Sequence, residues 1–177
     1  FLLSYPIWHL NQNWGMQLDV SFEDRVVRRF LGGELRPYDA PSTAETESIP
    51  QRYELGLFRA TSRGTYAFGN SVRHEISAGY RFVTRSTDVV GNFPYSESIR
   101  RDFRQDIFPR DERLSGPLVA YEFFRPTYVT YRNVDTFDLP ETLRTGPSLQ
   151  VEVSPSFRAL GATNSLAEWS SALAYRL

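Results

Sequence analysis

Only two of the 177 residues are histidines, and one of them, His74, stands beside Glu75 and three positions before Ser77. A hydroxyl, an imidazole and a carboxylate are the parts of a hydrolytic triad, in which the base touches the nucleophile and is held in turn by the acid. The spacing decides against it. Residues 71–85 read SVRHEISAGYRFVTR, with Val72, His74, Ile76, Ala78, Tyr80 and Phe82 at even positions and Arg73, Glu75, Ser77, Gly79 and Arg81 at odd ones. A period of two marks a β-strand, whose successive side chains point to opposite faces. On such a strand His74 faces away from both Ser77 and Glu75. It is therefore read as an amphipathic wall residue near the Gly69-Asn70 turn, and no catalysis is expected of this chain.

The remaining reactive groups are read in the same way. His9 lies near Trp8 and Asn11, with no second histidine or carboxylate at a metal-ligand spacing, so neither metal nor cofactor is expected. The carboxylate pairs Asp111-Glu112 and Glu45/Glu47 lie in polar loops and read as solvated charge. The run Arg100-Arg101-Asp102-Phe103-Arg104 could hold phosphates of lipopolysaccharide, because an arginine fork meets phosphate bidentately. The simpler reading is a solvated loop paired with Asp106 and Asp111. Cysteine is absent, which excludes disulfides and thiol chemistry, and a net charge of -1 removes nucleic acid as a partner.

Stepping from these residues to the elements that carry them, alternation runs through the chain. Residues 14–23 (WGMQLDVSFE) place Trp14, Met16, Leu18, Val20 and Phe22 on one face and Gln17, Asp19 and Glu23 on the other. Residues 149–154 set Leu149, Val151 and Val153 against Gln150 and Glu152, and residues 167–177 set Trp169, Leu173 and Tyr175 against Glu168 and Arg176. Weaker strands are expected at 52–61, 117–124, 127–133 and around 26–38, giving about eight strands in a single domain over 1–177. No segment is read as a helix. Arg125-Pro126 is read as a tight turn, and 86–116 as a long insertion without secondary structure. No apolar run approaches the ~18 residues of a membrane helix. A chain opening FLLSYPIW, without an initiating Met, is expected to be a piece of a longer protein.

Alternation alone does not say which face is the core. A soluble barrel would bury the apolar face; a transmembrane barrel turns it to lipid and keeps the polar face in a wet lumen. Strands of ten residues or so, aromatics near strand ends, and polar faces that mix large charges with Gly and Ser all favour the membrane version. The expected fold is thus all-β, an antiparallel transmembrane β-barrel of about eight strands forming part of a larger barrel. Its lumen side would carry Asp19, Arg73, Glu75, Arg81, Glu152 and Glu168, because a charge facing lipid at mid-membrane costs about 2–4 kcal/mol.

Residues 131–146, YRNVDTFDLPETLRTG, followed by the strand LQVEVSPSFRALGA, resemble the barrel of bacterial surface-antigen proteins of the BamA/TamA-like superfamily. The resemblance rests on Arg132, Asn133, Val134, Asp135, Phe137, Glu141, Leu143, Gly146 and Pro147, with looser support from PIWHLNQNWG and RHEISAGYRF. It implies an outer-membrane barrel of about sixteen strands in the intact protein, preceded by POTRA repeats and devoted to inserting or translocating other proteins. The implied partners are outer-membrane lipid, lipopolysaccharide and client outer-membrane proteins, and the implied location is the bacterial outer membrane. The chain departs from that pattern in four ways: it shows no POTRA-like pattern, room for only about half the strands, no terminal aromatic, and no lumen-loop motif, since Ser62-Arg63-Gly64-Thr65 matches poorly. The alternatives left open are an outer-membrane barrel that carries or performs lipid hydrolysis, by a patatin-type passenger or as a lipid A-modifying enzyme, and a soluble lipid-binding β-barrel.

Overall fold

The structure, a computed structural model, describes residues 1–43, 46–132 and 139–176. In chain order the strands are β1 (Leu2–Tyr5), β2 (Trp14–Arg28), the short β3 (Phe30–Leu31), β4 (Glu34–Leu35), β5 (Pro37–Tyr38) and β6 (Ile49–Pro50), then β7 (Arg52–Phe68) and β8 (Arg73–Val89). The helix α1 (Glu97–Ile107) follows, then β9 (Glu112–Phe124), β10 (Thr127–Arg132), β11 (Pro140–Ser156), a 3-10 turn (Arg158–Leu160) and β12 (Leu166–Arg176). The large sheet runs β1-β2-β7-β8-β9-β11, with β10 and β12 also on β11. Among the described residues the sheet has ends at β1 and β12 and does not close into a barrel, so the expected antiparallel β fold stands while closure does not. No described helix is long and apolar enough to cross a membrane.

The chain forms two compact units, Phe1–Val20 with Ala60–Phe82 and Leu114–Leu177, and Ser21–Arg59 with Val83–Arg113. In the first, β9 and β10 pair with one edge of β11 in an unbroken register, from Val119↔Val153 through Phe124↔Ser148 to Thr127↔Thr145. The Arg125 amide still reaches the Pro147 carbonyl at 3.4 Å. Arg125-Pro126 is thus an interruption inside one ladder and not the turn the dipeptide suggests. Pro126 has no N–H to donate, and the register places it opposite Gly146, whose φ of 95° lies in the left-handed region that only glycine adopts at little cost.

This unit is curled so that one sheet face is concave. Ser4 of β1 and Gln150 of β11 line one cavity, although five strand spacings separate them, about 24 Å on a flat sheet. Curling of this degree presses neighbouring backbones together. A Cβ on Gly79 would collide with the Ser62 carbonyl oxygen, and one on Gly116 with that of Pro155.

In the second unit α1 supplies the core. Ile99, Phe103 and Ile107, at i, i+4 and i+8, are buried against Ile49, Tyr53, Leu55 and Val89. The insertion expected to be structureless therefore holds a helix, and its strands reach further in than the alternation suggested, β8 to Val89 and β9 from Glu112. The strand expected around 26–38 is instead the end of β2 followed by the β3–β4 hairpin and β5, which pairs with β6. Loop residues dock on α1 through its acids: the Tyr38 hydroxyl donates to Asp106 at 2.6 Å and the Ser42 amide to Asp102 at 3.2 Å.

Two outcomes follow from this packing. Gly79→Ala forces the β7 and β8 backbones apart and lowers stability by about 1–3 kcal/mol, the usual cost of overpacking. Gly64→Ala, whose added methyl meets nothing nearer than the Ala78 oxygen at 3.9 Å, does not; urea unfolding of both variants beside the wild type checks the difference. Burial, then the bond to Asp106, raises the Tyr38 hydroxyl well above its ordinary 10.0. The protonated form is favoured by the fold, so its contribution is complete below about pH 10 and is lost as pH rises through the folded value. Exchange of the α1 amides should accelerate above pH 10 in the wild type relative to Tyr38→Phe.

Candidate functional site: the concave polar face

The concave face of the first unit is built by strand parity. Gln17 on β2, Arg63 and Thr65 on β7, Glu75 and Ser77 on β8, Glu122 on β9 and Gln150 on β11 border a cavity of about 300 Å³. The register supports the assignment: Ser4 pairs with Gln17, Gln150 with Glu122, and Glu152 with Ala120 on one side and Ser170 on the other.

Next to this cavity on the same face, Glu152 is held between two arginines. Arg63 Nη2 donates to Glu152 Oε2 at 2.5 Å, and Arg81 Nη2 donates to Oε1. Arg81 also lies 3.9 Å from Glu168 on β12. The side chain of Glu152 is 15% exposed and the arginines about a quarter, so the triad is shielded well beyond an ordinary surface pair. Three of the six expected lumen residues, Arg81, Glu152 and Glu168, therefore converge. Arg63, which joins them, was passed over as part of a poor motif match. Its signal was its parity with Thr65 in a strand whose opposite face carries Tyr66 and Phe68.

The other three behave differently. Arg73 is 2% exposed and makes no carboxylate pair among the described residues; it donates to the carbonyls of Leu10 at 2.6 Å and Gln12 at 2.5 Å. It thereby pins the 6–13 loop, whose Gln12 side chain also bonds Trp8, Pro6 and Trp14 backbone groups. Its place is under that loop. Glu75 borders the cavity. Asp19 follows Gln17 at the same parity of β2, across from Leu2, and no ion pair joins it among the described residues.

The opposite face is apolar and exposed. Trp14 (66%), Met16 (65%), Ile76 (46%), Val119 (54%), Trp169 (74%) and Leu173 (79%) all lie on it. His74 belongs to this face: its Nδ1 is 2.8 Å from the Tyr121 hydroxyl and its ring stacks on Phe68 at 5.2 Å. Ser77 turns the other way and bonds Thr65 at 2.8 Å, as parity requires. Trp14, Tyr66, Phe68, His74, Tyr121 and Phe123 form a row of ring contacts along the sheet end where β2 and β8 begin and β7 and β9 finish. No cluster of three metal-ligating side chains occurs among the described residues.

Of the residues carrying the family resemblance, Asn133, Val134, Asp135 and Phe137 lie outside the described residues. Arg132 closes the β10–β11 ladder opposite Pro140, Glu141 pairs with Tyr131, and Gly146 holds the left-handed position opposite Pro126. Arg132 and Glu141 thus belong to the β10–β11 ladder, and Gly146 directly follows it.

Glu152→Gln leaves two half-shielded guanidiniums sharing one neutral acceptor, and should cost about 1–3 kcal/mol, the value of a charge-assisted bond. Glu23→Gln, which removes an exposed pair with Arg25 at 3.1 Å, should stay within about 0.5 kcal/mol. Chemical denaturation of the two variants beside wild type measures both; equal costs would show the triad to be an ordinary surface pair.

Comparison with models of known protein families, with curated proteins and with solved structures finds no match for this chain.

Proposed function

We propose that this chain is part of the wall of an outer-membrane β-barrel of the surface-antigen kind, in a protein that inserts or translocates other proteins at the bacterial outer membrane. The observation that carries the reading is the inverted distribution of polarity in the first unit. Arg73, Ser77, Ser154 and Ser156 are buried, at 7% exposure or less, while Trp14, Met16, Trp169 and Leu173 are at least 65% exposed. Water favours the reverse arrangement; lipid outside and a wet polar interior favour this one. The row of rings ending at the short Gly69–Val72 connection fits an interfacial girdle, where amphipathic rings sit at headgroup level.

The assembly role rests on the resemblance of residues 131–147 and on β12, whose edge away from β11 has no strand partner among the described residues. Unpaired edges receive strands from other chains. The concave ion pairs act as scaffold in this reading, and lipid and client outer-membrane proteins are the partners.

Val153→Arg provides the test, because Val153 sits mid-strand on the apolar face opposite Val119 and Trp169. In a lipid-facing wall the substitution costs about 2–4 kcal/mol; on a water-facing surface it stays within about 0.5 kcal/mol. Chemical unfolding in phospholipid vesicles distinguishes the two, and a chain that is monodisperse in plain buffer with a neutral Val153→Arg removes the membrane reading. Vesicles carrying the wild-type chain should also speed the folding of a urea-unfolded outer-membrane barrel. If the rate matches that of empty vesicles, the wall remains and the assembly role is lost.

A further inference from the structure

The helix α1 has three chemically distinct stripes. Ile99, Phe103 and Ile107 are buried in the core of the second unit. Asp102 and Asp106 lie on a second stripe, and both are engaged by the loop that docks there, through the Ser42 amide and the Tyr38 hydroxyl. The third stripe carries Glu97, Arg100, Arg101 and Arg104, at the i, i+3, i+4 and i+7 spacing of one helix face. These four residues and Ser98 line one surface depression.

The acids of this region are largely consumed internally, whereas Arg100 and Arg104 are held only by exposed carboxylates. Asp111 accepts from the Thr87 amide and hydroxyl, and Glu112 from Arg85. The carboxylates that face the basic stripe are Glu97, itself 86% exposed in its i,i+3 pair with Arg100, and Asp88, 63% exposed and paired with Arg104. Exposed pairs of that kind are worth little and yield to a stronger anion. Arg101 has no ion pair among the described residues, and the buried Nε of Arg100 has no hydrogen-bond partner. Arg100 also packs over the Phe93 ring at 5.7 Å, which holds its fork in place. The stripe runs from the first turn, where Ser96 makes no side-chain cap, to Arg104 in the last, so the positive end of the helix dipole adds at the Glu97 end of the stripe alone.

We propose that this stripe of α1 docks on phosphate monoesters of an anionic lipid, with Arg101 and Arg104 forking the phosphate oxygens and Arg100 closing from the ring side. Arginine forks match phosphate geometry bidentately, and a doubly charged monoester competes with lone carboxylates for them. The choice of a lipid source rests on the membrane reading above: in a chain embedded in a bilayer wall, headgroup phosphate is the anion in greatest supply, and α1 begins eight residues beyond the end of β8.

The test uses the full chain folded in neutral maltoside micelles, titrated with phosphatidic acid, whose headgroup is a bare monoester, and read by native mass spectrometry. Bound phosphatidic acid should fall at least tenfold in the triple variant Arg100→Gln/Arg101→Gln/Arg104→Gln and severalfold in Arg101→Gln. The single variant touches no packed group and keeps the comparison valid if the triple variant fails to fold. Glu97→Gln should bind more tightly, and raising the salt should weaken binding throughout. Undiminished binding by Arg101→Gln and the triple variant, or equal retention of phosphatidylcholine, overturns the proposal. Inorganic pyrophosphate bound as tightly as phosphatidic acid makes the site one for soluble phosphate and overturns the lipid assignment. If the chain proves soluble without detergent, the membrane reading fails by itself, and the pyrophosphate arm still reports whether the stripe holds phosphate.

Discussion

The first unit depends on putting charged side chains on the inside of a bend. Glu152 on β11 meets Arg81 on β8 and Arg63 on β7 only because the sheet curls; on a flat sheet Arg63 and Glu152 would stand three strand spacings apart, about 14 Å. The dependence runs both ways. Without the triad the concave face would hold unpaired guanidiniums in a confined space, which desolvation makes costly. Without the curl the triad could not form, and three strands would lose the side-chain ties that run across the backbone ladder.

Curvature in turn dictates where side chains must be missing. Gly79 and Gly116 are the points at which one backbone lies against its neighbour so closely that a methyl has no room. Ser77, Ser154 and Ser156 supply the same economy of volume while retaining a hydroxyl, and each is almost fully buried on the concave side. A polar interior of small residues around a few paired charges is thus a packing solution as much as an electrostatic one. Arg73 belongs to the same logic by a different route: its guanidinium finds its acceptors in backbone carbonyls of the 6–13 loop, so the buried cation is satisfied by hydrogen bonds in place of a counter-charge.

Strand parity was legible in the residues themselves. It separated His74 from Ser77, placed Arg81 with Glu152 and Glu168, and put Trp14, Ile76 and Trp169 on a common face, because a period of two survives any twisting of the sheet. What parity could not convey was which strands become neighbours across the bend, so Arg63 was missed and the carbonyl partners of Arg73 in the 6–13 loop were not foreseen. The helix was overlooked for a different reason. Ile99, Phe103 and Ile107 have the spacing of a helical stripe, but three apolar residues in eleven are outvoted by the charges of Glu97, Arg100, Arg101, Asp102, Arg104 and Asp106. Arg125-Pro126 read as a turn because Pro ends most ladders; Gly146 opposite it supplies the one backbone conformation that lets this ladder continue.

The two faces together set a condition on the solvent. Trp14, Met16, Ile76, Val119, Trp169 and Leu173 are six large apolar side chains left largely uncovered. At about 1.5–3 kcal/mol for each that could be buried, water would forgo on the order of 10 kcal/mol on this face, comparable to the whole stability of an ordinary domain. Turning the sheet inside out is no remedy, since the concave side would then need apolar groups where Arg63, Arg81 and Glu152 stand. A medium that covers the apolar face and leaves the concave side wet removes both costs at once. That is the physical content of the membrane reading proposed above.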